Sequence, residues 1–457
     1  MNNQEKKMDS EGIYDARQLG VPKMVLLGLQ HMFAMFGATV LVPALTGLSV
    51  SATLLFAGLG TLLFHLFAKG KVPAFLGSSF AFLAGYWAIA PSGEKELLPY
   101  ACIGVAFAGI LYLVLAAFIK AFGAKKVMRF FPPIVTGPII IAIGLTLSSS
   151  AINNCKEDWL IAIIAVVVVV VCNIWGKGMI KIIPIILGVV ASYVVAAFMG
   201  KVDFTAISEA AWIGLPVHYS ETVFSIFQEP NVSLIITSIV TIMPIALATM
   251  VEHIGDISAI SSTVGKNFIE NPGLHRTLCG DGLATTIASL FGAPANTTYG
   301  ENTGVLSLTK VYDPRVIRIA AYFAILFSFS PKFEALIGSM PTATIGGVSM
   351  VLYGMISAIG VRNVVENQVD FTKNRNVIIA ALILVLSIGI KFTTAFNAAG
   401  EEVMASGVNM TFGSITVSMS GLAIAAIVGI ILNAILPGKD YEFGKNPTGD
   451  QAANLKL

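Results

Sequence analysis

Residues 294–310 read PANTTYGENTGVLSLTK, and residues 73–86 read PAFLGSSFAFLAGY. Both stretches begin with Pro-Ala, 221 positions apart, and both have Gly and small polar residues where a lipid-facing helix would have Leu or Val. Non-helical backbone is tolerated at membrane depth only where protein or water satisfies its N–H and C=O groups. We therefore predict that each stretch is extended up to about Gly77 and Tyr299 and then begins a half-helix whose N-terminus points into a shared cavity.

A competing interpretation is that both stretches are Gly-rich helices that pack closely through their small residues. It accounts for the glycines but not for Glu301 within the second stretch. Glu252, in the run MPIALATMVEHIGD at 243–256, is another acidic residue inside an apolar segment. Because an ionisable side chain in a bilayer is costly and is usually retained for a function, the pair indicates a transporter.

The composition is that of a membrane protein, with 56% hydrophobic and 12% charged residues and a mean hydropathy of +0.82. An ordinary soluble domain has about 25% charged residues. The four cysteines have no metal-ligand spacing, and we expect no metal, no cofactor and no nucleic-acid partner. No zinc-protease motif, nucleophile elbow or phosphate loop occurs in a plausible setting, so we expect no enzymatic activity.

Fourteen apolar stretches are long enough to cross a hydrocarbon core of about 30 Å, which takes about 20 helical residues. We number them segments 1 to 14, at 22–45, 50–68, 73–91, 98–119, 132–151, 159–175, 182–200, 233–256, 275–293, 295–310, 316–339, 341–361, 375–393 and 411–436.

The distribution of basic residues supports this count. If both termini are cytoplasmic, the connections on that side carry 23 of the 28 Lys and Arg residues, as the positive-inside rule requires. The prediction is a multi-pass protein of the cell membrane with both termini in the cytoplasm. Its parts are a tail (1–21), a seven-span repeat (22–200), an extracytoplasmic loop (201–232), a second seven-span repeat (233–436) and a second tail (437–457).

The two halves resemble each other at a nearly constant offset. Besides the Pro-Ala pairs, Gly58-x-Gly60 corresponds to Gly280-x-Gly282 at an offset of 222. Seven spans, an odd number, separate equivalent helices, so the second half must enter the membrane from the opposite face. This is the inverted repeat of many secondary transporters.

Several runs resemble the nucleobase–ascorbate transporter family. Its signature is an acidic or amide residue followed by Asn-x-Gly, four residues, Thr and a basic residue. The matching runs are Glu301-Asn302-Thr303-Gly304 with Thr309-Lys310, Gly77-Ser78-Ser79-Phe80-Ala81-Phe82, Glu252-His253-Ile254-Gly255, and Gly346-Gly347-Val348 with Tyr353. The resemblance covers essentially the whole chain and is closest to the uracil permeases of that family.

This resemblance implies an all-α polytopic fold of fourteen spans in two inverted repeats of seven. Segments 3 and 10 would each contain a short strand, and the two strands would pair antiparallel. Segments 1–4 and 8–11 would form a core domain, and segments 5–7 and 12–14 a gate domain. A homodimer is retained as a candidate assembly.

The resemblance also implies roles for individual residues. Glu252 and Glu301 would be the substrate-binding carboxylates, and the N–H groups of Phe80 and Gly300 would meet substrate carbonyls. Tyr299 and Tyr353 would line the pocket. The residues implied in proton coupling are Glu252, Asp256 and His31, with His31 in a supporting polar network.

A flat, neutral molecule with two ring N–H donors and two carbonyl acceptors, such as uracil, needs carboxylate acceptors, N–H donors and an apolar wall. A carboxyl group in a low-dielectric cavity can also exchange a proton. Some uracil permeases of that family have His at the position of Asp256. Several purine-transporting relatives have Asp there, as this chain does. Asp256 lies one turn after Glu252 on the same helix face. Three interpretations are open: the two carboxylates share a proton, they bind sodium, or Asp256 forms a hydrogen bond with a neighbouring helix. We interpret Asp281 as a structural hydrogen-bonding residue.

The function predicted from these features is uracil import by proton symport, with alternating access of core against gate. The alternatives are a sodium-coupled uracil symporter, a xanthine or other purine symporter of the same family, and an anion transporter of related architecture. Purine transporters usually have Gln at the position of Glu301, and anion transporters would be expected to have neutral or basic groups there.

Overall fold

The structure is a computed structural model that describes residues 12–396, 402–404, 407–412, 415–439 and 441–442. The described chain is mostly helical, with three separate two-stranded antiparallel sheets. Only the backbone is described for Ile182, Glu301 and the strand residues 395–396, 402–404, 409–412 and 415–418.

The helices of the first half are α1 (Val21–Thr46), α2 (Val50–Phe67), α3 (Leu83–Ile89), α4 (Leu98–Phe122), α5 (Ala124–Met128), α6 (Pro133–Lys156), α7 (Trp159–Trp175), α8 (Met179–Ile182), α9 (Pro184–Phe198) and α10 (Thr205–Glu209). Those of the second half are α11 (Val232–Ile242), α12 (Ala246–Val264), α13 (Leu274–Leu290), α14 (Glu301–Thr309), α15 (Pro314–Ser328), α16 (Pro331–Gly338), α17 (Thr342–Glu366), α18 (Asn374–Phe392) and α19 (Gly421–Ile435).

Short 3-10 turns occupy Ala16–Leu19, Phe80–Phe82, Tyr219–Glu221, Val223–Phe227 and Met243–Ile245, and a π turn occupies Ile269–Gly273. The strands are β1 (Leu76–Ser78), β2 (Asn296–Thr298), β3 (Thr394–Phe396), β4 (Glu402–Met404), β5 (Val408–Phe412) and β6 (Ile415–Met419).

Within the described residues, seven helices are long and apolar enough to cross a membrane, or up to eight if α15 and α16 form one span. α15 and α16 meet at an angle of 87°, because Pro331 at the start of α16 cannot continue the preceding helix. Four shorter apolar helices lie at Phe80–Ile89, Trp159–Trp175, Pro184–Phe198 and Gly421–Ile435.

Segment 14 differs from its predicted bounds of 411–436. Its first part contains strand β6, and the helix begins only at Gly421, where the side chain of Ser420 accepts a 3.3 Å hydrogen bond from Ala423 N. The run ITVSM at 415–419 is rich in β-branched residues. Hydropathy alone does not distinguish such a run from the start of a buried helix.

Helices from the two halves interleave. α4 packs on α13, α2 on α15, and α6 on α17. α4 and α13 approach so closely that a Cβ at Gly109 would lie 2.6 Å from Gly282 O, and one at Gly282 would lie 2.7 Å from Gly109 O. Small residues allow helix backbones to meet in this way.

The N-terminal segment lies against the ends of α12 and α15. Ile13 N donates a 2.7 Å hydrogen bond to Lys310 O, and Tyr14 Oη donates one of 2.7 Å to Val264 O. Asp313 caps α15 through Arg315 N at 2.9 Å and also accepts from Ala16 N at 2.8 Å. Asp313 is therefore the N-cap of α15.

Candidate functional site

Strands β1 and β2 pair antiparallel in the interior, with Leu76 opposite Thr298, Gly77 opposite Thr297 and Ser78 opposite Asn296. All six residues are buried. After β1 the chain turns into the helical stretch that starts at Phe80, and after β2 into α14, whose N-cap is Gly300. The first N–H groups of a helix have no partner within it, so both helix starts carry free donors and a partial positive charge.

The paired strands β1 and β2, with the helix starts that follow them, are called the β1–β2 crossing below. Tyr299 links the segments that meet there. Its hydroxyl donates a 2.7 Å hydrogen bond to Ser78 O and lies 3.1 Å from Ser78 Oγ. Thr39 Oγ1 on α1 donates to the same hydroxyl at 3.3 Å. Tyr299, which the sequence predicts to line the pocket, is 5% exposed. Through these hydrogen bonds it links segments 1, 3 and 10.

α12 brings Asp256 to the start of α14. Asp256 is half-buried, and a Cβ added at Gly300 would lie only 3.2 Å from its Oδ1. Glu252, one turn earlier on α12, is also half-buried. Glu301 is the first residue of α14, and its side chain lies outside the described part of the structure.

Thr298 connects Asp256 to a buried polar cluster. Its hydroxyl donates to Asp256 Oδ2 at 3.1 Å and lies 3.3 Å from His253 Nδ1. Its backbone N donates to Asp281 Oδ2 at 3.3 Å. Thr298 was not among the residues expected at the site. The sequence signal for Thr298 is its position in the predicted extended run, because strand pairing determines which way its side chain points.

His253 and Asp281 form the centre of that cluster. His253 Nδ1 lies 2.5 Å from Asp281 Oδ2, and His253 Nε2 lies 3.0 Å from Thr277 Oγ1. Both side chains are fully buried. A buried carboxylate requires such a partner. The prediction that Asp281 is a hydrogen-bonding residue is confirmed.

The aromatic side of the site joins the two halves of the chain. The rings of Phe80 and Tyr353 meet edge to face, with centroids 5.6 Å apart and an interplanar angle of 79°. Phe80 is 5% exposed and Tyr353, on α17, is 1% exposed. An edge-to-face pair at this spacing is a favourable aromatic contact.

His31 lies on α1, next to α14. It is fully buried on α1 and lies beside Asn302 of α14, although the polar atoms of the two residues do not have hydrogen-bonding geometry. The described contacts therefore place His31 with α14, and its link to Asp256 or Glu252 remains a prediction.

Residues 22–396 match the family described as the Permease family. The chain is 40% identical over 431 residues to the uracil permease of Bacillus caldolyticus, which covers 92% of this chain and 93% of that protein. It is 37% identical to the uracil permease of Escherichia coli strain K12, over 90% of both chains. It is 35% identical to the putative pyrimidine permease RutG of the same strain, over 92% of this chain and 91% of that protein.

Solved transporters share the fold at low sequence identity. The transmembrane domain of a cyanobacterium bicarbonate transporter, BicA, has a TM-score of 0.57 at 12% identity and covers 93% of this chain and 99% of that one. SLC26A9 has a TM-score of 0.61 at 13% identity, over 92% of this chain and 66% of that one. Together with the family match over 22–396, these findings show that the chain is a multi-pass membrane protein that belongs to the Permease family.

Proposed function

We propose that this chain imports uracil across the cell membrane by proton symport. The observation that carries the proposal is the β1–β2 crossing, which places the helix start at Gly300 beside Asp256 of the carboxylate-bearing helix α12 and is followed, after β1, by the helical stretch that starts at Phe80. The substrate class comes from the relatives, several of which are named uracil permeases.

The groups around the crossing complement a pyrimidine-dione. Glu252 and Glu301 accept the two ring N–H groups, and the backbone N–H groups of Phe80 and Gly300 donate to the carbonyl oxygens. The rings of Phe80 and Tyr353 supply an apolar wall. Each buried donor or acceptor left unmatched costs about 1–3 kcal/mol, so a molecule lacking this pattern binds less well.

For coupling, we propose that a proton is held by Glu252 together with Asp256, which Thr298 orients. The membrane potential contributes about 2.3 kcal/mol per charge per 100 mV, so a single proton can drive roughly fiftyfold accumulation at a potential of that size. The alternative is that Glu252 and Asp256 bind sodium, because two carboxylates one turn apart repel unless a proton or a cation lies between them.

The proposed architecture has fourteen spans in two inverted repeats and both termini in the cytoplasm. Segments 1–4 and 8–11 form the core domain, and the remaining segments form the gate. The Phe80–Tyr353 contact then lies between the core domain and the gate domain. In alternating access, the space between these domains opens first to one side of the membrane and then to the other.

Uptake of radiolabelled uracil and xanthine by cells that express the chain tests the proposal. We expect uracil uptake that excess unlabelled uracil competes away and excess xanthine does not. Uptake of xanthine without uracil would favour the purine symporter, and uptake of neither at normal membrane expression would reject both.

A further inference from the structure

A wide apolar groove runs along the outside of the molecule between α4, α12 and α19. Its volume is about 540 Å³, and its walls include Leu115, Phe118, Phe122, Leu247, Ile427 and Ile431. Phe118, Phe122 and Ile431 are each at least half exposed, and the rings of Phe118 and Phe122 stack with centroids 5.9 Å apart. In a bilayer, this groove is a site for a hydrocarbon chain.

A second cavity of about 390 Å³ is lined by residues that neighbour groove residues in the sequence of α5 and lie one turn from them on α19. Among the described residues that line it are four basic residues, Lys125, Arg129, Arg375 and Lys439, and one acidic residue, Glu442. Lys125, Arg129 and Lys439 are exposed. The excess of positive charge complements an anion.

The groove and the basic cavity share two structural elements. Lys126 and Val127 of α5 line the groove, while Lys125 of the same short helix lines the basic cavity. On α19, Ile430 lines the groove and Asn433 lines the cavity. One ligand with a charged end and an apolar end can therefore occupy both.

Asn433 holds the wall between the cavities in place. It is 3% exposed, and its Nδ2 donates to Arg129 O at 2.9 Å. Its Oδ1 accepts from Arg375 Nη2 at 2.6 Å, and its backbone O accepts from the same nitrogen at 3.0 Å. The basic cavity is thus shaped by buried hydrogen bonds between α19, α18 and the turn after α5.

We propose that an anionic phospholipid binds here, with its headgroup phosphate in the basic cavity and an acyl chain in the groove. Basic cavities between membrane helices suit anionic headgroups. A free phosphate ion would leave the groove without a ligand, and a zwitterionic lipid would not offset the excess of positive charge.

The bound lipid would touch the connection between the fourth and fifth spans. α5 follows Gly123, which has a positive φ of 85°, and joins α4 to α6. If the proposed division into core and gate is correct, this connection is one of the hinges, and the lipid tunes their relative movement. That consequence rests on the proposed function, whereas lipid binding itself does not.

Native mass spectrometry of the full-length protein, titrated with phosphatidylglycerol or phosphatidylcholine, measures binding. The test variant is K125Q/R129Q/K439Q, which leaves Arg375 and Asn433 intact. Its matched control is K23Q/K177Q/K181Q, which removes three exposed basic residues outside the cavity. We expect the wild type and the control to prefer phosphatidylglycerol, and the test variant to bind it roughly tenfold or more weakly.

Two further arms identify the ligand. Inorganic phosphate at millimolar concentration should not displace phosphatidylglycerol, and F122S/I431S should weaken lipid retention although all charges remain. If the triple variant does not fold, the single change Lys125→Gln on the exposed face of α5 gives the same comparison at smaller amplitude.

Unchanged phosphatidylglycerol affinity in the cavity variants would overturn the proposal, and so would equal binding of phosphatidylcholine or displacement by phosphate. None of these measurements involves uracil. Their failure is therefore distinguishable from absence of uracil uptake, which would contradict the proposed function alone.

Discussion

The hydroxyl of Tyr299 donates a 2.7 Å hydrogen bond to the backbone oxygen of Ser78, a residue 221 positions earlier in the chain. The offset of 221 is also the one that relates the two Pro-Ala pairs. By the same offset, Leu76 is equivalent to Thr297, and Gly77 is equivalent to Thr298. A two-fold axis through the sheet therefore exchanges its first two residue pairs, as an inverted repeat requires.

Tyr299→Phe should lower the stability of the crossing without abolishing folding. The change removes one donor to Ser78 O and the acceptor for Thr39, and a buried hydrogen bond of this kind contributes about 1 kcal/mol. Thermal unfolding of the purified protein, followed by tryptophan fluorescence, should show a lower midpoint. Tyr322→Phe is the control because Tyr322 is 56% exposed, and an equal shift in both variants would contradict the assignment.

Glu252→Gln and Glu301→Gln should each reduce uracil binding roughly tenfold or more, because each carboxylate is the proposed acceptor of a substrate N–H. Glu229→Gln, in an exposed loop, is the control for loss of a carboxylate. Calorimetric titration of the purified variants checks the effect. Wild-type affinity in either site variant, at matched folding, would remove that residue from the binding site.

The positions of the broken segments could be predicted from the sequence because their residues are unsuited to lipid. Pro73 and Pro294, followed by small and polar residues, indicate extended backbone where a spanning helix would be apolar. The bounds of α7 at Trp159–Trp175 were also predictable, since Asp158 and Gly176 flank a run that is apolar except for Asn173.

Contacts between distant segments could not be read from the sequence. The hydrogen bond from Thr298 to Asp256 depends on the register of a three-residue strand and on the rotation of α12. A shift of one residue would turn Thr298 to the other face of the sheet. Similarly, the Phe80–Tyr353 contact depends on how α17 packs, and neither residue type identifies its partner.

Uracil uptake should be abolished by a protonophore and should not require sodium. The physical reason is that Glu252 and Asp256 lie one turn apart on α12, which favours holding one proton between them. Uptake into proteoliposomes with an imposed pH gradient, with and without sodium, is the measurement. A rise from near zero as sodium is added at constant pH would instead identify a cation site.

Thr298→Val should impair coupling more than binding, because it removes the hydroxyl that donates to Asp256 but keeps the shape of the side chain. Thr298→Ser should restore most of the activity. We therefore expect the pH profile of uptake to shift in Thr298→Val and to return in Thr298→Ser. Equal loss in both variants, with no shift of the profile, would show that Thr298 acts only in packing.

Gly300→Val should abolish uracil binding, whereas Phe80→Leu should retain weak binding. Gly300 has φ −65° and ψ −29°, so a side chain strains no backbone there, but its Cβ would lie 3.2 Å from Asp256 Oδ1. The branches of valine would extend further towards the substrate, and overpacking of this kind costs about 1–3 kcal/mol. Phe80→Leu changes the wall of the site but leaves the backbone N–H in place.

The matched control for this pair is Gly389→Val on α18, where an added Cβ would meet nothing within 4 Å. All three variants should fold and reach the membrane, and calorimetric titration with uracil then compares their affinities. Phe80 and Gly300 begin the two half-helices, and both variants keep their backbone N–H groups. The pair therefore compares overpacking at the start of α14 with a smaller loss of packing at Phe80. Undiminished affinity in Gly300→Val would show that segment 10 does not approach the substrate, since a β-carbon at that position could not be tolerated beside a bound ring.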